Sequence, residues 1–155
     1  MKPMSEGIAA DAPIVVDTDA LSFIVRPRGR PPAPEAVADI VLAAAGRKLF
    51  CSRMTIGEIQ FGAYKAKWNP ARTNEYLGRV EQQFGVVELE PEVVDIWAQV
   101  RAARVRETIS PQDAFVAATA IFLGLPLLTN NGSNFGKLKD LGLQLLPTMA
   151  KTAKP

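Results

Sequence analysis

Residues 14–21 read Ile14-Val15-Val16-Asp17-Thr18-Asp19-Ala20-Leu21, and this stretch decides the fold. An apolar run that ends in an acid predicts a buried strand with a carboxylate at its carboxyl end. Further short apolar runs recur along the chain, each separated from the next by helical or loop-plus-helix sequence. The predicted strands are 14–17, 48–52, 86–89, 126–129 and 143–146. This alternation indicates a parallel sheet.

Helical sequence fills the intervals between these strands. Pro91 and Pro111 suit first-turn positions, and Gly46, Gly85 and Gly124 suit helix ends. The predicted helices are 19–25, 35–46, 55–67, 70–84, 91–108 and 111–124. Together the elements predict an α/β fold, a three-layer α/β/α sandwich with a mostly parallel central sheet.

The size and composition of the chain predict one domain. A chain of 155 residues, 48% of them hydrophobic, is long enough to close one core. We expect this domain at residues 13–147, after a mobile leader (1–12) and before a C-terminal tail (148–155). No run approaches the roughly 20 apolar residues that cross a bilayer, and the first residues lack a signal-peptide pattern. We therefore expect a cytoplasmic protein with no membrane partner.

The residue types that are missing narrow the chemistry. The sequence has no histidine and one cysteine, so it excludes a His-based acid/base pair, a Cys-His nucleophile, a thiolate zinc site and a disulfide framework. Cys51 ends an apolar segment and is predicted to be buried and inert. The net charge of +2 neither demands nor forbids a polyanionic partner. Carboxylate chemistry with a hard cation, Mg²⁺ or Mn²⁺, is nearly all that remains.

Three acids occupy strand-to-helix junctions. They are Asp17, Glu58 in Thr55-Ile56-Gly57-Glu58, and Asp113 in Ser110-Pro111-Gln112-Asp113. Ligands of open α/β sheets collect at the carboxyl ends of the strands, and three acids that converge there repel one another unless a divalent cation holds them together. Each acid also has a purely structural interpretation: Asp17 as a helix N-cap, and Glu58 and Asp113 as the far residues of capping boxes.

A fourth polar motif, Thr129-Asn130-Asn131-Gly132, follows the apolar segment Pro126-Leu127-Leu128 and opens onto the same edge. Asn131 can offer an uncharged oxygen to a metal ion or a water molecule. The alternative is that Asn-Gly forms only a turn.

The ordered set of these motifs resembles a PIN-domain ribonuclease and, more narrowly, the toxin of VapBC-type toxin–antitoxin modules. The resemblance covers roughly residues 14–146. It implies Asp17, Glu58, Asp113 and Asn131 as catalytic residues, with the three acids as ligands of Mg²⁺ or Mn²⁺. Asn131 departs from a family position that is often acidic. Asp19 and Thr129 are given supporting roles beside these residues.

The resemblance also implies a function. The protein would be a Mg²⁺-dependent endoribonuclease that cleaves RNA phosphodiesters by metal-activated water, leaving 5′-phosphate and 3′-hydroxyl ends. It would be the toxin of a type II module, with a small VapB-like antitoxin as partner, and would form a homodimer. The candidate contacts to the RNA backbone are the cations Arg26, Arg28, Arg30, Lys137 and Lys139.

Three other functions compete with this one. The motif Asp17-Thr18-Asp19 also resembles the opening of HAD-type phosphohydrolases. Such enzymes need a later lysine and an acidic pair after a strand, but no carboxylate follows the fourth motif before Asp140. A PIN ribonuclease of RNA processing that is not a toxin and a catalytically inactive PIN-fold binding module remain open as alternatives.

Overall fold

The sheet is described by a computed structural model that covers residues 7–32, 34–104 and 109–148. Its parallel strands are β1 (Ile14–Val16), β2 (Leu49–Ser52), β3 (Phe84–Val87) and β4 (Leu127–Leu128), in the order β3-β2-β1-β4. The strand that carries Asp17 at its end is therefore an interior one. The predicted strand 143–146 is wrong: it contributes one isolated parallel bridge between Leu127 and Leu145.

Helices follow the strands as the alternation predicted. They are α1 (Thr18–Ile24), α2 (Ala38–Ala44), α3 (Arg53–Lys65), α4 (Pro70–Gln83), α5 (Pro91–Ala103), α6 (Pro111–Leu123) and α7 (Gly132–Phe135). Short 3₁₀ helices lie at Glu35–Val37 and Gly136–Leu141. In the described ranges no helix combines the length and apolarity needed to span a membrane.

Two apolar cores lie on opposite faces of the sheet. Ile14 and Val16 of β1 point into a core shared with α1, α2 and α4, whereas Val15 points into a core shared with α5 and α6. The alternation of side chains along a strand makes this possible, because successive residues face opposite sides of the sheet. The three-layer α/β/α arrangement is therefore confirmed. Cys51 is buried, as predicted, and burial raises the pKa of its thiol to about 12.

Helix ends show where sequence patterns succeed and where they mislead. Ser110 caps α6, and Gly124 ends it in the left-handed conformation with φ of 65°, both as predicted. At α3 the prediction is wrong, because Ser52 is the N-cap, with Met54 N donating to its hydroxyl at 3.0 Å. Thr55 therefore lies inside the helix, and the capping-box interpretation of Glu58 is excluded.

Other predicted boundaries also move. The predicted helix 35–46 is a 3₁₀ helix at Glu35–Val37 followed by α2, which ends at Ala44. Strand β3 begins at Phe84, two residues before the predicted 86–89, because α4 ends at Gln83 and the Phe84 ring is buried against the first core. Helix α5 ends at Ala103, whereas the prediction ran to residue 108; residues 105–108 lie outside the described ranges.

The end of α1 that lies farthest from Asp17 is tied to α4. The buried Tyr76 hydroxyl donates to the Val25 carbonyl oxygen at 2.6 Å, and Arg79 Nη2 donates to the Arg26 carbonyl oxygen at 2.7 Å. Glu75 joins Arg79 and Arg28 at 2.7 and 3.0 Å. The start of the proline-rich loop after α1 is therefore held by one face of α4.

The predicted leader lies only partly in the described residues, since residues 1–6 fall outside them. Ile8 packs against the first core, and Arg47 Nη1 donates to the carbonyl oxygens of Ala9 and Ala12 at 2.9 and 3.0 Å. Residues 8–12 thus contact the domain, while the mobility of the leader as a whole stays a prediction. Of the predicted tail, only Thr148 is described.

Candidate metal centre at the carboxyl edge of the sheet

Asp17 lies where β1 ends and α1 begins, with 5% of its surface exposed. Its Oδ1 accepts a hydrogen bond from Ala20 N at 2.9 Å, and its Oδ2 accepts one from the Thr129 hydroxyl. The N-cap interpretation is therefore correct, and it does not exclude a functional role. One carboxylate joins the first turn of α1 to the segment after β4.

The surroundings of Asp17 make its charge costly. Burial raises its pKa from the ordinary 3.8 to about 6, although the hydrogen bonds from Thr129 and Ala20 oppose the rise. The negative charges of Asp19 and Asp113 raise it further. A carboxylate in such a place is stabilised by any cation that reaches it.

Glu58 lies in the second turn of α3 and is half-buried. The Thr18 hydroxyl donates to Glu58 Oε1 at 2.7 Å and lies 3.1 Å from the Thr55 hydroxyl. Burial raises the pKa of Glu58, the Thr18 hydrogen bond lowers it, and the charges of Asp113 and Asp19 raise it. Sequence reasoning assigned no role to Thr18 and interpreted Thr55 only as a helix cap, because a hydroxyl near an acid in sequence carries no signal of its own.

Asp113 lies in the first turn of α6, where its N–H donates to the Ser110 side chain at 3.0 Å. Burial raises the pKa of its half-buried carboxylate, the hydrogen bond with Ser110 opposes this, and the charge of Asp19 adds to it. The predicted cap, Ser110, is therefore confirmed. Its contact with the Asp113 N–H does not exclude a functional role for the Asp113 carboxylate.

Asp19 belongs to the same electrostatic cluster. It is exposed in the first turn of α1, and its charge raises the pKa of Asp17, Glu58 and Asp113 alike. We call these four acids the acid cluster. Sequence reasoning assigned Asp19 only a supporting role, because its position shortly after a strand end does not fix the direction of its side chain.

Asn131 is connected to the acid cluster through Thr129. Its N–H donates to the Thr129 hydroxyl oxygen at 2.8 Å, and that hydroxyl donates to Asp17. Its side-chain Oδ1 accepts from the Ser133 hydroxyl at 3.3 Å. Thr129, for which a supporting role is predicted, thus makes a direct hydrogen bond to Asp17. A ligand role for Asn131 stays a prediction.

The donor set fits a hard divalent cation. Around the acid cluster the available groups of the described residues are carboxylate and hydroxyl oxygens, which Mg²⁺ and Mn²⁺ prefer. Nevertheless, in the described part of the chain no three acidic or thiol side chains are arranged so that they could hold one ion as they stand. The mutual electrostatic effects still show that these acids lie within reach of one another's charge, since Asp19 and Asp113 raise the pKa of both Asp17 and Glu58.

The cations proposed to contact RNA lie on two separate segments of the chain. Arg26 donates to the Pro31 carbonyl oxygen at 2.9 Å and Arg28 pairs with Glu75, both beyond the far end of α1. Lys137 and Lys139 lie on the 3₁₀ helix after α7. The guanidinium groups of Arg26 and Arg28 are thus already engaged within the molecule, and RNA contact by any of the five cations stays a prediction.

Comparisons with known proteins agree with the predicted fold. A search of curated protein sequences gives no significant match. Among solved structures, VapBC2 from Rickettsia felis, bound to a DNA fragment from its promoter, has a TM-score of 0.67 at 18% identity, covering 86% of this chain and 96% of that one. FitAcB from Neisseria gonorrhoeae has a TM-score of 0.63 at 22% identity, covering 86% and 96%. DNA-bound VapBC from Salmonella typhimurium has a TM-score of 0.62 at 22% identity, covering 88% and 97%.

At such low sequence identity, these similarities show that the fold is shared. They do not show that this chain has the activities of the similar proteins. The family itself is shown by sequence: the model of the PIN domain matches residues 14–141. Those bounds begin at the first residue of β1 and reach past the fourth motif. Because the match spans most of the chain, we conclude that the protein belongs to the PIN domain family.

Proposed function

We propose that this protein is a divalent-metal-dependent endoribonuclease and the toxin of a type II toxin–antitoxin module. PIN domains are nucleases, so family membership supports a hydrolase that acts on nucleic acids. The observation that carries the proposal further is the acid cluster, in which burial and the charges of neighbouring acids raise the pKa values of Asp17, Glu58 and Asp113 at the carboxyl edge of the sheet. Such a cluster repels a phosphodiester unless a cation neutralises it.

The cation would be held by Asp17, Glu58 and Asp113. When bound, Mg²⁺ or Mn²⁺ supplies a Lewis acid that activates water and offsets the charge of the phosphate. Asp17 is the most firmly oriented of the three, because both of its oxygens accept hydrogen bonds from the fold. Glu58 has Oε1 engaged by Thr18 and a raised pKa, which suits it to orient a water molecule and accept its proton.

The antitoxin part of the proposal rests on the neighbours. One of the similar structures is described as a toxin–antitoxin complex from Klebsiella pneumoniae, with a TM-score of 0.61 at 19% identity. We propose by analogy that a small VapB-like protein binds this chain and presents a basic side chain to the acid cluster. We also propose a homodimer, again by analogy.

The cleavage assay should use the purified, metal-stripped wild type. End-labelled single-stranded and hairpin RNAs should be cut when Mg²⁺ or Mn²⁺ is added and left intact in chelator, with 5′-phosphate and 3′-hydroxyl ends on the products. Matched DNA oligonucleotides serve as the control for the choice of RNA. Failure to cut any RNA with either metal would favour the inactive binding module, and cutting of DNA alone would overturn the choice of RNA.

A separate experiment distinguishes the toxin from a processing nuclease. Controlled expression in a bacterial cell should arrest growth, and co-expression of the gene that neighbours the natural locus should relieve the arrest. A protein that cleaves RNA in vitro yet leaves growth unaffected would support the processing alternative.

Asn131→Asp tests whether the fourth motif belongs to the metal site. The change adds a negative charge to the acid cluster, so we expect tighter Mn²⁺ binding and, in chelator, a lower melting temperature. Asp can still accept the Ser133 hydrogen bond, so the turn itself should persist. Calorimetric titration and melting curves measure both effects, with the exposed Asn74→Asp on α4 as the charge-matched control. If neither quantity changes, Asn131 is only a turn residue.

A further inference from the structure

We propose that Thr18 is a positioning residue for Glu58, one that sets which carboxylate oxygen of Glu58 is presented to the metal site. The inference rests on the proposed function, because it concerns the acid that would ligate the ion. Thr18 lies between Asp17 and Asp19, yet its side chain leaves α1 and reaches α3.

The geometry of the contact assigns the hydrogen-bond donor. The Thr18 hydroxyl lies 2.7 Å from Glu58 Oε1 and 3.1 Å from Thr55 Oγ1. A hydroxyl has one proton to donate, and an ionised carboxylate can only accept. Thr18 therefore donates to Glu58, and the buried Thr55 donates to Thr18. The three side chains form a directed chain from the interior of α3 to the carboxylate.

These two consecutive hydrogen bonds hold Glu58 in place. A glutamate side chain has three rotatable bonds, and the charges of Asp113 and Asp19 push its carboxylate away from the other acids. The Thr18 hydroxyl opposes that push by fixing Oε1, which leaves Oε2 as the oxygen with no hydrogen bond from the described residues. Threonine suits the task because its β-branch restricts rotation about χ1.

The same contact joins two elements of the site. Thr18 is the first residue of α1, directly after Asp17, so the bond to Glu58 also fixes the start of α1 against α3. Without this hydrogen bond, α1 and α3 would still form, but the contact that fixes Asp17 and Glu58 relative to each other would be lost. A role of this kind predicts an effect on metal affinity that depends on the hydroxyl and not on the methyl group.

The test compares Mn²⁺ binding by metal-stripped wild type, Thr18→Val and Thr18→Ser. Substituting groups that orient metal ligands commonly costs about 10- to 100-fold in affinity, so we expect Thr18→Val to bind Mn²⁺ about tenfold more weakly. Thr18→Ser, which keeps the hydroxyl, should bind close to wild type. The control is Thr119→Val, because the buried Thr119 hydroxyl donates within α6 to the Phe115 carbonyl oxygen at 2.8 Å and does not contact the acid cluster.

Electron paramagnetic resonance of Mn²⁺ and calorimetry give the affinities, and melting in chelator gives the stability of each variant. Wild-type affinity in Thr18→Val, or an equal loss in Thr18→Ser, would overturn the proposal. A fall in melting temperature without a change in affinity would also overturn it, since it would show a purely structural threonine. Thr18→Ala provides the same readout if valine prevents folding. If wild type itself binds no Mn²⁺, the proposed function fails first and the positioning role with it.

Discussion

Asp17→Asn is expected to abolish metal-dependent RNA cleavage while the protein remains folded. Asparagine has the same shape, so Oδ1 can still accept the hydrogen bond from Ala20 N that caps α1. What is lost is the charge that would hold the cation. If metal ligation contributes about 3–4 kcal/mol of transition-state stabilisation, the cleavage rate should fall on the order of 10²- to 10³-fold.

The control for this variant is Asp95→Asn, which removes the same charge from α5, where the exposed Asp95 accepts a hydrogen bond from Gln99 at 2.7 Å. Cleavage should be unaffected there. Circular dichroism spectra of both variants should match wild type. Undiminished cleavage by purified Asp17→Asn would eliminate the metal-nuclease proposal, and it would return Asp17 to the role of a cap.

The second large effect concerns stability in the absence of metal. Because burial raises the pKa of Asp17 to about 6 from 3.8, the folded chain binds more protons than the unfolded chain between these values. The free energy of unfolding therefore falls as the pH rises from about 4 to above 6, and the penalty is relieved as the pH falls back through the folded pKa. The difference corresponds to about 3 kcal/mol at most, since each tenfold step in a proton equilibrium is worth about 1.4 kcal/mol.

Unfolding in chelator across pH 4 to 8 measures this effect, with Asp17→Asn as the reference chain. The surface acids Glu88 and Asp140 act in the opposite sense, because hydrogen bonds from Arg53 and Arg104 lower their pKa values. They are present in both proteins, so the difference between wild type and variant isolates Asp17. We expect Asp17→Asn to be the more stable protein at pH 7, and addition of Mn²⁺ to stabilise wild type more than the variant. Parallel pH profiles for the two proteins would contradict the raised pKa.

The fold was predictable because its strongest signals are local. Ile14-Val15-Val16 is apolar on both sides because cores lie on both faces of the sheet, and Pro111 and Gly124 mark the ends of α6 through fixed backbone preferences. The errors lie where two signals compete. Ser52 and Thr55 are both good caps, and only the pairing of β2 with β3 through Ser52 decides that the helix begins at the first of them. The segment 143–146 is as apolar as a strand but forms a single bridge at Leu145.

The proximity of the predicted acids could be inferred from the sequence, but their hydrogen-bond partners could not. Strand ends and motif spacing brought Asp17, Glu58 and Asp113 to one edge, and the structure adds the charge of Asp19 to their mutual effects. The hydrogen bond between Thr18 and Glu58 spans 40 positions in sequence, so no local pattern can predict it. The same holds for the contact between Asp17 and Thr129, which joins residues 112 positions apart.

Helix α1 is anchored at both ends, and this has a consequence for how inactive variants are interpreted. Asp17 and Thr18 fasten its start to β4 and α3, while Tyr76 and Arg79 of α4 fasten its end. Because this helix has only seven residues, we expect a displacement of its end to be passed on to its start. A substitution in α4 could then reduce the proposed activity without touching the acid cluster. Such a substitution would identify an anchoring contact of α1 and not a second functional site.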